Sequence, residues 1–142
     1  MASPRRNYEC TCAGDAGVAW HTEYSSHNAL HAAGSYDPYY CDGAAKRRLV
    51  AMGFRATIHE NRDFYADVDA GSVPTHDVLM TNPPFSGDHI ERLVRFVTRG
   101  AGAGQRLPSF ALLVPSYVIG KPYWRECVKS LAPPPFVVAA QR

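Results

Sequence analysis

"HDVLMTNPPFSGDHIERLVRFV", residues 76–97, runs from an apolar stretch through two adjacent prolines straight into a helical pattern. "HDVLMT" is apolar enough to be buried on both faces, as parallel strands are. Proline lacks an N–H, so Pro83 and Pro84 end any strand ladder and stiffen the chain where it leaves the sheet. Beyond them Ile90, Leu93, Val94 and Val97 fall at i, i+3, i+4 and i+7, and Asp88 and Glu91 stand at capping-box spacing. A buried strand, a rigid turn and an amphipathic helix in that order predict one unit of an α/β sheet.

The neighbouring segments extend the same grammar. "YDPYYCDG" is turn chemistry, since Asp-Pro and Asp-Gly favour tight reversals. "AAKRRLVAM" then predicts a helix with Ala45, Leu49 and Met52 on one face; Gly53 suits a left-handed cap, with Phe54 packing behind it. "RATIHE" carries the β-branched residues of a short strand, and "SFALLVP" reads as a third buried strand after the flexible connection "GAGAGQRLP". The tail "LAPPPFVVAAQR" offers one further strand start. Residues 1–34 are rich in Ala, Gly, Ser and His and read as a loosely ordered arm, with a short helix in "HTEYSSHNAL"; residues 35–142 read as one domain. Helix, strand, strand, helix, strand is the order of an open, mostly parallel α/β sheet. Ligands of such sheets bind outside the carboxyl ends of the strands, so "DPYYCDG" and "NPPF" are expected on one rim.

Composition sets bounds on partners. A chain of 142 residues with net charge +2 suits one modest core and does not by itself imply a polyanionic partner, although Arg5, Arg6, Lys46, Arg47, Arg48, Arg92, Arg95 and Arg99 are available for a local basic face. No apolar run approaches a membrane span and "MASPRRNYEC" lacks the apolar centre of a secretory signal, so an intracellular protein without a membrane partner is expected. Cys10, Cys12, Cys41 and Cys127 show no paired framework spacing, and reduced thiols are expected. Cys10 and Cys12 with His21, His27 and His31 do not match a common zinc spacing, and no metal is expected.

The two turns offer specific chemistry. An amine attached to a π system is a poor nucleophile until its N–H bonds are held away from the ring plane. The Asn82 side-chain oxygen accepts one N–H in this reading, and the Pro83 carbonyl, aimed by the ring pair with Pro84, accepts the other. Phe85 would stack on a flat substrate and hold it in line. The plainer alternative is a stiff strand exit in which Asn82 caps the turn and Phe85 enters the core.

"TNPPF" directly after an apolar strand, preceded by a "DPxxxxG" turn that opens a helix, resembles the S-adenosylmethionine-dependent amino-group methyltransferases, especially the adenine-N6 type with its (N/D)PP(F/Y/W) motif. The resemblance covers about Ser35 to Trp124 and implies a Rossmann-like class I methyltransferase sheet, compact and shortened. It implies that "YDPYYCDG" is the first cofactor loop, with Asp37, Pro38 and Tyr39 at the cofactor, Asp37 near its methionine amino group, and Gly43 allowing close backbone approach. It implies that "RDFY" is a later acidic motif in which Asp63 accepts from the adenine amino group and the Phe64 backbone contacts its ring, and that Glu60 meets the ribose hydroxyls. Family members usually carry glycine where Cys41 stands.

The function implied is in-line transfer of the sulfonium methyl to an amino nitrogen, most directly adenine N6 in DNA or RNA, with no metal. A base within a duplex would have to be extruded. Tyr39, Tyr40, Tyr117, Tyr123 and Trp124 are available to line a pocket or to fill the core, and Ser116 and Lys121 would share the rim, where Lys121 could meet a phosphate. Alternatives are a protein methyltransferase acting on Gln or Lys, and an inactive shortened domain that binds a partner. A partner protein is expected to supply target recognition.

Overall fold

The computed structural model describes residues 16–21, 33–99, 107–131 and 135–139. Six strands, β1 (Ala16–His21), β2 (Ser35–Tyr36), β3 (Thr57–Ile58), β4 (Val78–Thr81), β5 (Ser109–Pro115) and β6 (Phe136–Ala139), form one sheet in the order β3-β2-β4-β5-β1-β6. The first four in that order are mutually parallel, while β1 runs antiparallel to both β5 and β6. The α/β, mostly parallel architecture therefore agrees with the sequence.

Ala16–His21 lies inside the stretch expected to be a loose arm, and here the expectation fails: it is a strand in the sheet, paired along its length with β5 from Ala16↔Pro115 to His21↔Phe110. The proposed helix in "HTEYSSHNAL" and the Cys10, Cys12, His27 and His31 part of the zinc alternative lie outside the described residues. Cys41 is disulfide-bonded and Cys127 is a free thiol, so reduced thiols are not the rule for this chain. No helix among the described residues is long and apolar enough to cross a membrane.

Helix α1 (Ala44–Ala51) ends as its sequence suggests. Gly53 takes φ 99°, its N–H bonds the Val50 carbonyl and the Phe54 N–H reaches back to Leu49, which is a Schellman closure with Phe54 buried behind it. Met52, expected on the apolar face, is exposed, because it is the capping residue past the helix end. Helix α2 (Phe64–Ala70) was not expected; its seven residues are too few to display a period. Asp63 caps it, accepting from the N–H groups of Tyr65 and Ala66, and Gly71 closes it at φ 65°.

Helix α3 (His89–Val97) buries Ile90, Leu93, Val94 and Val97, the four residues that its period singles out. Each buried aliphatic side chain of this kind contributes about 1.5–3 kcal/mol, which outweighs anything at the helix ends. Asp88 occupies the N-cap position but its side chain makes no capping bond, so the expected capping box does not form. Helix α4 (Pro122–Val128), entered through a short 3-10 turn at Ser116–Gly120, starts on a proline and buries Trp124. The core joins Phe64, Leu79, Leu93, Phe110, Leu112 and Val118, each almost wholly inaccessible.

Sheet order fixes where a ligand site belongs. From β2 the chain moves outward to β3, then returns past β2 to reach β4 on its other side. The direction of winding thus reverses between β2 and β4, and the crevice at their carboxyl ends is the topological switch point.

Candidate active site at the carboxyl rim

Asp37 is the first residue beyond β2, and Asn82 the first beyond β4. The register Ser35↔Val78 and Tyr36↔Leu79 sets the two strand exits side by side. Thr81, the last residue of β4, donates its hydroxyl to Asp37 Oδ1 at 2.6 Å, and the Tyr39 N–H approaches the same oxygen at 3.3 Å. On its other side Asp37 Oδ2 lies 3.2 Å from His59 Nδ1. His59 follows β3, so one carboxylate ties together the ends of three parallel strands.

This clamp is nearly dry. Asp37 is 5% and His59 4% exposed, and the Tyr40 ring stacks on the imidazole at 4.9 Å between centroids. The hydrogen bond to the Asp37 carboxylate raises the His59 pKa above its ordinary value, against the opposing pull of burial. Sequence reasoning placed Asp37 at a ligand's amino group; here its two oxygens meet Thr81, Tyr39 and His59, and it braces the rim. His59 and Thr81 were missed as partners, although the alternation Thr57, His59 in "RATIHE" already puts His59 on the same side as a buried strand residue.

The turn after Tyr39 carries an unusual backbone. Cys41 has φ 48°, the only positive φ outside glycine among the described residues. A side chain in the left-handed region costs roughly 1–2 kcal/mol. Cys41 thus holds a conformation more usual for glycine. Gly43, at φ 75°, is itself required: its N–H bonds the Tyr40 carbonyl, and a Cβ there would come 3.0 Å from the Tyr40 hydroxyl. Asp42 accepts from the Ala44 N–H at the start of α1, which draws its carboxyl below the ordinary range.

In "NPPF" both prolines are buried and Asn82 and Phe85 half-buried. Phe85 packs against the core, as the plain reading of the turn had it, while leaving part of its ring accessible. Asn82 Oδ1 is enclosed and receives no hydrogen bond. A buried amide oxygen left without a donor costs about 1–3 kcal/mol. A half-turn of the amide, which exchanges oxygen and nitrogen, gives the acceptor to the opposite side.

Of the other expected residues, Glu60 sits just beyond β3 with its side chain 60% exposed and only a loose contact, 3.8 Å, to Arg62. Pro38 and Tyr39 are buried, Tyr39 in the core. Asp63 Oδ1 serves the α2 cap, and the Phe64 side chain is core, which leaves only its backbone for a ligand. Trp124 is buried and Tyr123 packs on the core, whereas Tyr117 is exposed with Lys121 Nζ 5.5 Å over its ring.

A second polar chain stands on this edge. Tyr39 and Tyr65 share a 2.8 Å hydrogen bond between hydroxyls, Tyr65 bonds His89 Nδ1 at 2.8 Å, and the Arg92 guanidinium lies 3.7 Å over the Tyr65 ring. It ties the loop after β2 to the starts of α2 and α3. Tyr65 and His89 carry no signal in the sequence beyond their places in "RDFY" and "GDHIER".

The cofactor that the resemblance implies can be tested against these groups. Glu60 offers an exposed carboxylate at a strand end, suited to hydroxyls, whereas Asn82, its Oδ1 enclosed, belongs to the side of the target amine. Asp37 braces the strand exits through both carboxylate oxygens. Comparison with family models, with curated proteins and with solved structures returned no match.

Proposed function

We propose that the chain transfers a methyl group from S-adenosylmethionine to an amino nitrogen, with adenine N6 in DNA or RNA as the first substrate class, on a Rossmann-like sheet. The observation that carries the reading is the joining of the two strand exits at the switch point: the 2.6 Å bond from Thr81 to Asp37 sets "NPPF" against the "DPYYCDG" turn. Such adjacency is what an in-line transfer between two loops needs.

When bound, the cofactor supplies a methyl group activated on a positively charged sulfur. Glu60 would hold its ribose hydroxyls, and the Cys41–Gly43 turn would give its backbone close approach. Asn82 accepts one N–H of the target amine and the Pro83 carbonyl the other, turning the nitrogen lone pair out of its π system. The accessible part of Phe85 flanks the flat base. Pro84 and the Asp37 clamp keep these acceptors from relaxing, so little reorganisation accompanies transfer.

Calorimetric titration of S-adenosylmethionine, followed by transfer of labelled methyl to nucleic acid and to protein, tests this reading. We expect binding, and label in adenine after nuclease digestion; label in Gln or Lys of a protein band would move the substrate to protein. Asn82→Ala should bind the cofactor as the parent does and lose turnover. Absence of cofactor binding would overturn the reading. A second reading, a partner-binding domain without turnover, is favoured by the inward-facing carboxylate of Asp37 and the enclosed Asn82 oxygen.

A further inference from the structure

A cavity lies on the opposite, amino edge of the sheet, where α3 ends and β5 begins. Its volume is about 190 Å³, and its walls include the rings of Phe96 and Phe110 with Val97 and Leu107, while His76 and Arg99 contribute the polar boundary. An engineered apolar cavity of about 150 Å³ takes up benzene, so this space holds one six-membered ring and a substituent.

The boundary groups narrow the chemistry. Arg99 is exposed and makes no ion pair with a described residue, so its charge is available at the opening. His76 Nδ1 lies 2.7 Å from the Pro74 carbonyl. A carbonyl only accepts, so Nδ1 carries the hydrogen and Nε2 remains an acceptor. Burial pushes the His76 pKa below its ordinary value, which keeps the ring neutral and leaves Arg99 as the cation of the site. The Tyr36 ring, 5.1 Å from that of His76, holds the imidazole in place.

We propose that this cavity binds a small aromatic carboxylate, its ring between Phe96 and Phe110 and its carboxylate at the Arg99 guanidinium. The two phenylalanines favour an aromatic guest through edge and offset contacts, and a guanidinium pairs with a carboxylate through two parallel hydrogen bonds. The site is remote from the Asp37 and Asn82 rim and does not depend on the methyl-transfer reading.

The test is titration of the full chain with benzoate, followed by methyl NMR and by thermal melting, beside the neutral probe toluene. Benzoate should saturate in the millimolar range, shift the Val97 and Leu107 methyl signals and raise the melting temperature. Arg99→Gln, a surface change that leaves the fold intact, should weaken benzoate about two- to fivefold and leave toluene unchanged, as expected for an exposed charge pair. Val97→Phe, which fills the space, should remove binding of both. Failure of benzoate to bind, binding unaffected by Arg99→Gln, or toluene binding with benzoate excluded would each overturn the proposal.

Discussion

Replacing Thr81 with valine removes the hydroxyl that clamps Asp37 while keeping the shape of the side chain. The bond is 2.6 Å long, its donor is 7% and its acceptor 5% exposed, and the acceptor is a carboxylate. Hydrogen bonds to charged groups contribute about 1.5–3 kcal/mol, and in a buried site the oxygen left behind stays unsatisfied. The Tyr39 N–H at 3.3 Å is a long bond and replaces little of this. For a chain of this size that loss corresponds to a fall of roughly 5–10 °C in melting temperature. Urea unfolding followed by circular dichroism gives the free energy directly, provided the slope m is unchanged between parent and variant. Thr81→Ser keeps the donor and should retain most of the stability. A loss under about 0.5 kcal/mol for Thr81→Val, the level of an uninvolved surface change, would refute the view that this bond holds the rim together.

His59 gives a pH test. Its pKa is raised in the folded protein above the ordinary 6.5, so its contribution is complete below about that pH and is lost as pH rises through the raised value. Stability should decline over that interval in the parent, and His59→Gln should flatten the decline; an unchanged slope in the variant would reject the Asp37–His59 pair as its source. Gly43→Ala should destabilise by roughly 1–2 kcal/mol in the same unfolding assay, because φ 75° suits glycine and the new Cβ meets the Tyr40 hydroxyl. Asp63→Ala should cost about 1 kcal/mol as a lost helix cap. If it also reduces S-adenosylmethionine affinity at a temperature where the variant is fully folded, Asp63 touches the cofactor as well as the helix.

What the sequence shows and hides follows from the range of the forces involved. β5 matches "SFALLVP" from end to end, and α3 matches its i, i+3, i+4, i+7 pattern, because both signals lie within one short window. The closure at Gly53 was equally readable, since a left-handed residue followed by a buried aromatic is a local device. β1 was hidden: "AGVAWH" is built largely from small residues of low strand preference, and it is a strand through pairing with β5, far along the chain. The same distance hid the site's scaffold. Asp37, His59 and Thr81 were all visible as residues, but nothing local says that one carboxylate would gather the other two. Asp63 shows the reverse case: a residue read for ligand chemistry also has a local task, starting a seven-residue helix, which the reading passed over.

The antiparallel strand at Ala16–His21 bears on biosynthesis. It is made before both of its partners, β5 and β6, which follow it in the chain. Until then the growing polypeptide carries a lone ribbon with nothing to zip against, and once β5 is out, its seven-residue flank stays open to any stray ribbon that arrives first. A version beginning after His21 would never close that flank and would leave β6 with no neighbour in the sheet. Expression yield of such a shortened version, compared with its tendency to form aggregates, would show how strongly the first ribbon acts as the molecule's own guard.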